Sequence, residues 1–595
     1  MPPLAVPFYS VFVVGAFVAK MLAVSLWSTS FDRETADRRA SLLAAWLLTM
    51  AVQISAILIF SAFHGLSTAT IWAFLALWLS AGAVAFARNP KPKLSIGWGF
   101  ILPAAVILVA GWRALVFSDS QWDAMTYELP RVAIWMNYQT VFVHMPTVQA
   151  NIFSSEWNGE LNSLLYGLAV GNVHQLAFAN IEVLIFLAIA SHWLADQWGA
   201  RHKSLIAAAV VSTPAVLGIA STMKGDLMAV AGIVIAFGWI VRAGRDGSRF
   251  ALVMAVLSLA FAAGSKIGVI PGVGVCSIYL ALHYRKRLRE FFAPRLAVPL
   301  VAGSAIFIAR YIANVFVYHR PFFRVAGEKT SIAFVYLEGN LRIAAARWME
   351  WWPVDSAALC GGLGLVGVCS LVGLGVRAGR PPRSAWVAIL SLLMAALAAL
   401  FIPPEPWTFR YLLPFVLPFV IWTISAPVDH RPISAAFAAA LSLAVGMGIY
   451  HYFDQGDMSP EPTFAQSVES SLNRTPLMHA LYRYETHAPA AGVTELNIDT
   501  GPGKTIAICN AIDNAISPFV GSYAQNRLIL TDSLAGLAAV VAQRHPDIVV
   551  IVKPTRYKGT DPVSLITEAQ RLSVASVGYR WIIDNDAYVI ARRIQ

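Results

Sequence analysis

From residue 1 to about residue 453 the chain is a succession of apolar runs, each near twenty residues long, separated by short polar breaks. A hydrocarbon core of about 30 Å is crossed by about twenty helical residues. The runs therefore predict spans near 4–28, 41–63, 69–87, 99–117, 174–195, 204–221, 226–242, 250–264, 267–283, 295–317, 357–376, 385–402, 409–426 and 433–452. Both members of the pair around Lys266 are short. The pattern predicts a polytopic α-helical membrane protein with about fourteen transmembrane helices.

Two longer polar stretches, 118–173 and 318–356, interrupt the series and are rich in Trp, Tyr and charge. In the first, residues 127–138 alternate polar and apolar side chains at helical spacing, which predicts an amphipathic helix lying in the membrane interface. Beyond the polar, Pro-containing stretch 454–462 the pattern changes, and 454–595 reads as a small soluble α/β domain. Short β-branched runs at 504–509 and 547–552 predict buried strands, 533–544 and 563–573 have helical period, and 579–583 with 588–591 predict a terminal strand pair. The run Gly501-Pro-Gly-Lys504 precedes its strand, whereas a phosphate loop follows one and opens a helix, so it reads as a turn.

Composition agrees with the span map and narrows it. Only 13% of the 595 residues are charged, about half of what a soluble chain carries. The net charge of +11 does not point to nucleic acid, because the basic residues sit in short loops and form no basic-aromatic platform. With the N-terminus outside, the loops holding Arg33/Arg38/Arg39, Arg88/Lys91/Lys93, Arg201/Lys203, Arg242/Arg245/Arg249, Arg285/Lys286/Arg287/Arg289, Arg377/Arg380/Arg383 and Arg431 all fall on the cytoplasmic side. An even number of spans then places 454–595 outside. The four cysteines show no zinc spacing, and Cys509 alone lies in the tail, so that domain closes no internal disulfide. The first apolar run lacks a basic leader and is long enough to span, so it reads as a helix and not as a signal peptide.

Charge inside a membrane is costly and usually functional. On this map Glu182, Lys224, Asp226, Lys266, Arg310, Glu405 and Arg410 lie in the outer half or at the outer edge, beside Asp119, Asp123, Glu128 and Arg131 of the first outside loop. Lys20 and His192 lie toward the inner ends, where snorkelling accounts for them, and Glu182 is expected to pair within the bundle, with Arg310 as a candidate. Ionisable groups gathered at one face favour chemistry on an amphiphile whose headgroup lies there. A transporter or flippase of a lipid-linked saccharide is the alternative, and would place such groups near the midplane between repeated halves.

The segment Ser118-Asp-Ser-Gln-Trp-Asp123-Ala-Met-Thr-Tyr127-Glu128-Leu-Pro-Arg131, just after a span, resembles the first outside loop of GT-C-fold glycosyltransferases that use polyprenyl-phosphate sugars. These include the protein O-mannosyltransferase and lipid A aminoarabinose transferase branches. The family often has Asp-Glu where this chain has Asp123-Ala124, which leaves both Asp123 and Glu128 as candidates for the principal carboxylate. Ser221-Thr-Met-Lys224-Gly-Asp226 looks like the family's second acidic turn. Ala263-Gly-Ser-Lys266-Ile-Gly resembles its Gly-x-Lys segment, and Pro406-Trp-Thr-Phe-Arg410-Tyr411-Leu-Leu-Pro414 is similar to its Arg-Tyr-x-x-Pro span start.

The resemblance implies a GT-C-like enzyme of the cell inner (plasma) membrane with an extracytoplasmic C-terminal domain. It would move a hexosyl or pentosyl group, with inversion, from a polyprenyl-phosphate-linked donor to a lipid, glycan or protein acceptor in cell-envelope glycan biosynthesis. Such chemistry needs one base at the acceptor hydroxyl and cations where charge grows on the departing phosphate. Asp123, Asp226 and Glu128 are the catalytic candidates. Lys266, Arg410, Tyr127, Arg131, Lys224, Arg310 and Tyr411 are the candidates for holding substrate. Plainer roles stand beside these: Asp123 and Asp226 as helix caps, Lys266 as a snorkelling residue, and Arg410 as a structural partner of Glu405. Some family members bind a divalent cation, for which Asp119, Asp123, Glu128 and Asp226 offer oxygen ligands. The lysines and arginines can neutralise the leaving group without one, so no metal is assigned.

Overall fold

A computed structural model of the 595-residue chain describes residues 5–89, 100–116, 123–147, 151–173, 175–285, 294–319, 357–376, 386, 388–393, 410–426, 431–454, 503–509, 516, 519–520, 525–552, 578–584 and 588–594. Asp119, Glu405, the loop 320–356 and the predicted helix 563–573 lie outside the described residues.

The first principal helices are α1 (Ala5–Ser28), α2 (Arg38–Ala62), α3 (Thr68–Arg88) and α4 (Ile101–Val116), followed by the shorter α5 (Leu129–Tyr138) and α6 (Asn158–Val170). Next come α7 (Ala179–Gln197), α8 (Lys203–Ser212), α9 (Pro214–Ala220), α10 (Asp226–Asp246), α11 (Arg249–Ser265) and α12 (Ile270–His283). The bundle closes with α13 (Pro294–Phe307), α14 (Ala309–Tyr318), α15 (Ala357–Val376), α16 (Leu413–Ile424) and α17 (Arg431–Asp454). Each of the fourteen predicted spans contains helical backbone among the described residues, but length and apolarity qualify only six helices as membrane-crossing. The number reaches eight if the two bent pairs, α8 with α9 and α13 with α14, each count as one span. One break has a local cause: Pro214 starts α9, and α8 and α9 meet at 63°, as suits a proline, which lacks a backbone donor.

The two ends of the bundle differ in chemistry. At one end Arg39 of α2 binds Asp196 of α7 at 2.5 Å and Asp37 at 2.8 Å, Lys203 reaches Asp196 at 2.6 Å, and Arg242 donates to the carbonyl of Glu34. Three of the loops predicted to be cytoplasmic thus meet there. The 21 residues of α10 rise about 30 Å from that end to Asp226 at the other. His192 does not snorkel. It is buried, and its Nδ1 lies 2.9 Å from Arg39.

Lys20 also departs from the snorkelling expectation. It is 1% exposed and pairs with Glu182 at 2.8 Å, so Lys20 is the partner of Glu182 where Arg310 was the candidate. Trp46 Nε1 and Tyr166 OH donate to the two Glu182 oxygens at 2.6 and 2.9 Å, and Lys20 also donates to Asn162 at 2.8 Å. A buried pair persists when its remaining lone pairs are satisfied in this way. This knot ties α1, α2, α6 and α7 together inside the bundle.

The C-terminal domain is a five-stranded sheet in the order β2-β1-β3-β5-β4. Its strands are β1 (Thr505–Cys509), β2 (Arg527–Thr531), β3 (Ile548–Val552), β4 (Tyr579–Asp584) and β5 (Tyr588–Arg593), with helix α18 (Leu534–Arg544) between β2 and β3. The first three strands are parallel, while β5 runs antiparallel to β3 and β4. Alternation sets the two faces. Ala507, Val549 and Ile551 pack beneath Leu537 and Val541 of α18, whereas Ile506, Ile508, Val550 and Ile590 join the core that is continuous with the bundle.

Edge strand β2, which the hydrophobic pattern had not marked, is covered by the first outside loop. Asn137 and Tyr138 donate to the carbonyls of Asn526 and Leu528, the Leu530 amide meets Met145 Sδ, and Arg527 lies over the Tyr138 ring at 4.5 Å. Covering its alternate outward backbone groups protects an edge that would otherwise pair with another chain. The amphipathic helix is accordingly not spread on an open interface: residues from Leu129 to Trp135 of α5 are buried.

Candidate active site

Four separated segments bring their polar residues to the end of the bundle opposite Arg39. Asp123 precedes a five-residue π-helical turn, Ala124–Glu128, that leads into α5. Lys224 and Asp226 flank Gly225 at the start of α10, Lys266 ends α11, and Arg410 with Tyr411 stands just before α16. Asp123 Oδ2 lies 2.8 Å from Arg410 Nη2 and 2.9 Å from Lys224 Nζ. Asp226 Oδ2 lies 3.2 Å from Lys266 Nζ, and its Oδ1 lies 4.0 Å from Arg410 Nε. Arg410 therefore bridges the two aspartates, and it also donates to Tyr411 OH at 2.9 Å. Lys266 stands 5.6 Å from the Tyr411 ring centre.

Neither aspartate serves as a side-chain cap. Asp123 makes no cap hydrogen bond to the turn that follows it, and Gly225, not Asp226, is the N-cap of α10. The Asp226 carboxylate, at the first helical residue, still gains from the positive end of the helix.

Glycines make the convergence possible. A Cβ on Gly225 would lie 2.8 Å from the carbonyl of Ser265, beside Lys266, and a Cβ on Gly159 would lie 2.6 Å from Gly225 Cα. The backbone between Lys224 and Asp226 is thus pressed between α6 and the end of α11. Gly225→Ala is expected to lower the rate of any reaction at this site about ten- to a hundredfold, because a displacement near 1 Å suffices for that. Initial rates beside a thermal melt check this: an unchanged rate in the folded variant would show that the close approach is unimportant.

Electrostatics differentiate the carboxyls of the first outside loop. Burial opposes ionisation of Asp123, but Lys224, Arg410 and Lys266 outweigh it and hold this carboxyl well below the ordinary range. Glu128 is moved the other way, upward, by burial first and then by the charge on Asp123, which favours its neutral form. It is 2% exposed, and its Oε2 has no hydrogen-bond partner among the described residues. Tyr127 is raised well above its usual value by burial and by Asp123 and Glu128. Two neighbouring carboxyls with pKa values pushed apart mark different roles, and Asp123 is the one able to accept a proton. Glu128→Gln copies the neutral acid, and its initial rate at pH 7 is expected to stay within about threefold of the parent. A loss comparable to removing Asp123 would make Glu128 an ionised participant instead.

Other candidates have different surroundings. Arg131 is buried, pairs with Glu160 at 2.8 Å, and donates to the carbonyls of Ile152 and Glu156 and to the hydroxyl of Ser155. It thereby pins the start of α5 to the segment before α6. Arg310 lies over the Trp157 ring at 5.0 Å. Sequence reasoning missed Glu156, which is buried 3.8 Å from Lys266, and Glu160. The polar cluster Glu156-Trp-Asn-Gly-Glu160, set in an apolar stretch, was the available signal.

As they stand, Asp123 and Asp226 do not suit a divalent cation. Asp123 and Asp226 already face three positive side chains, which a dication would have to displace. Among the described residues no cluster of three or more His, Cys, Asp or Glu side chains has metal-binding geometry. Below the charged groups lies a small, narrow apolar pocket lined by Ile233, Phe237, Val275, Cys276, Tyr279 and Phe415. These residues belong to α10, α12 and α16, the helices that begin just after Gly225, Lys266 and Arg410.

Solved structures of ArnT from Cupriavidus metallidurans align with most of this chain. The crystal structure bound to undecaprenyl phosphate matches at 12% identity and a TM-score of 0.47, over 84% of this chain and 98% of that one. The apo crystal structure matches at 13% identity and a TM-score of 0.46, over 82% and 97% respectively. The chain is similar to ArnT. No protein-family model and no curated protein matches it.

Proposed function

We propose that the protein is a membrane glycosyltransferase that moves one sugar from a polyprenyl-phosphate-linked donor to an acceptor at the outer face of the membrane. The observation that carries this reading is the ring in which Asp123, Asp226, Lys224, Lys266 and Arg410 meet at one end of an apolar bundle. A lipid-linked sugar phosphate needs cations at the phosphate and an apolar path for its tail. The ring offers the first, and the exposed apolar side chains Ile267, beside Lys266, and Ile278 and Leu282 of α12 offer the second.

In this mechanism Asp123 takes the proton of the acceptor hydroxyl as that oxygen bonds to the anomeric carbon. The bond from the anomeric carbon to the phosphate oxygen breaks on the opposite side, so the centre inverts. The electron pair leaves with the phosphate, and Arg410 and Lys266 hold the added charge. Asp226 positions Lys266 and Arg410. Tyr411, between those two cations, orients them, while Lys224 sets the ionisation of Asp123. The C-terminal sheet, docked on α5, stands on the same side as Asp123 and can shape the approach of the acceptor.

Mass spectrometry of envelope glycans and lipids from cells with and without the protein tests the reading. A single sugar should vanish from the glycan while its lipid-linked form accumulates. A glycan and lipid complement that does not change on removal would overturn the proposal.

A further inference from the structure

The same groups that suit the reaction also oppose it in the arrangement observed. Asp123 accepts both of its short contacts on one oxygen, from Arg410 Nη2 at 2.8 Å and Lys224 Nζ at 2.9 Å. A carboxylate neutralised by two cations is a poor proton acceptor. The ring is balanced as a whole, because the cations Lys224, Lys266 and Arg410 face the carboxylates Asp123, Asp226 and Glu156. Each cation already faces a carboxylate, so a phosphate can enter only by drawing one away. Asp226 is 2% exposed and Asp123 is 21% exposed. The pair at Asp123 is thus the one an incoming anion meets first, and Arg410, which reaches toward both aspartates, can turn from one while keeping the other.

We propose that Arg410 is a latch on the base: it neutralises Asp123 until the phosphate of the donor draws it away, so that Asp123 can take a proton only when the donor is in place. This deepens the transferase reading and rests on it. The consequence is an ordered reaction in which donor binds before acceptor. Proton and charge balance follow directly. The hydroxyl proton ends on Asp123, and the negative charge gained by the leaving phosphate lies on the group that already holds Arg410.

The groups facing Asp123 come from several elements. They are Lys224 before α10, Lys266 after α11, Arg410 and Tyr411 before α16, and Tyr127 and Glu128 on its own segment. Burial shifts Tyr127 and Glu128 toward their protonated forms, and mapping the product to its residue separates any labelling of Glu128 from that of Asp123.

Carbodiimide coupling of an amine modifies protonated carboxyls, and peptide mass spectrometry locates the product. The full chain in detergent is labelled at one mildly acidic pH with farnesyl phosphate as probe, and with farnesol as the phosphate-free control. Labelling of Asp123 should rise about tenfold with farnesyl phosphate, which corresponds to one pKa unit, and should not rise with farnesol. Shielding by bound lipid acts in the opposite direction, so it cannot imitate the rise. Arg410→Met should show raised labelling without any ligand and no further rise with it. Farnesyl phosphate that binds by native mass spectrometry without raising Asp123 labelling overturns the latch and leaves the transferase reading standing. Farnesyl phosphate that does not bind overturns both.

Discussion

Asp123→Asn is expected to lower sugar transfer by roughly a hundred- to ten-thousandfold, the range that general-base removal spans, while the protein still inserts and folds. The argument is local. Asp123 is partly exposed where its neighbour Glu128 is buried and shifted toward its neutral form, and its carboxyl is ionised far into the acid range. The linkage sign follows from that depression. Asp123 adds stability above its unfolded value near 4, and that stability fades as pH falls toward the lower folded value. At pH 7 the Asn variant therefore loses the attraction of Lys224 and Arg410, and a modest drop in melting temperature accompanies the loss of activity. Donor binding should survive, since the cations remain and one competing anion is gone. Transfer assays with parallel lipid-binding measurements check this. A normal turnover number in the variant would remove Asp123 from the chemistry.

Much of the site was legible in the sequence because charge is rare in a membrane-embedded chain. Asp123, Asp226, Lys266 and Arg410 stood out against apolar neighbours, and the structure brings them into one ring. What stayed hidden depended on pairing between distant segments. Lys20 looked like a snorkelling residue because its partner Glu182 is far along the chain, and only the packing of α1 against α6 and α7 buries the two together. Arg131 looked like a ligand for an anion, yet Glu160, 29 positions later, takes it up. In the fold, helix positions followed apolar run length well. Among the described residues length and apolarity qualify six to eight spans, because a short helix or one bent by 63–65° has the same composition as a straight one. Strand β2, with Arg527 in its first position, lacked the unbroken β-branched pattern of β3.

Arg410→Lys is expected to behave as a severe change, with transfer falling about a hundredfold or more and the Michaelis constant for the donor rising. Arginine is not interchangeable with lysine where two directions are used at once. Here Nη2 serves Asp123 at 2.8 Å and Tyr411 at 2.9 Å, while Nε faces Asp226 at 4.0 Å. A lysine ammonium is a single point and cannot occupy both places. Wherever it settles, one aspartate faces fewer cations. Near Asp123 it leaves Asp226, almost wholly buried, with Lys266 as its remaining close cation. Near Asp226 it leaves Asp123 with Lys224 alone. Either outcome also removes a planar group suited to two phosphate oxygens. The result separates arginine's two tasks. If the donor's Michaelis constant rises while the maximal rate is kept, Arg410 only binds phosphate. If both worsen, it also sets the state of Asp123, as its bridging position requires. A lysine variant with unchanged kinetics would exclude Arg410 from both tasks.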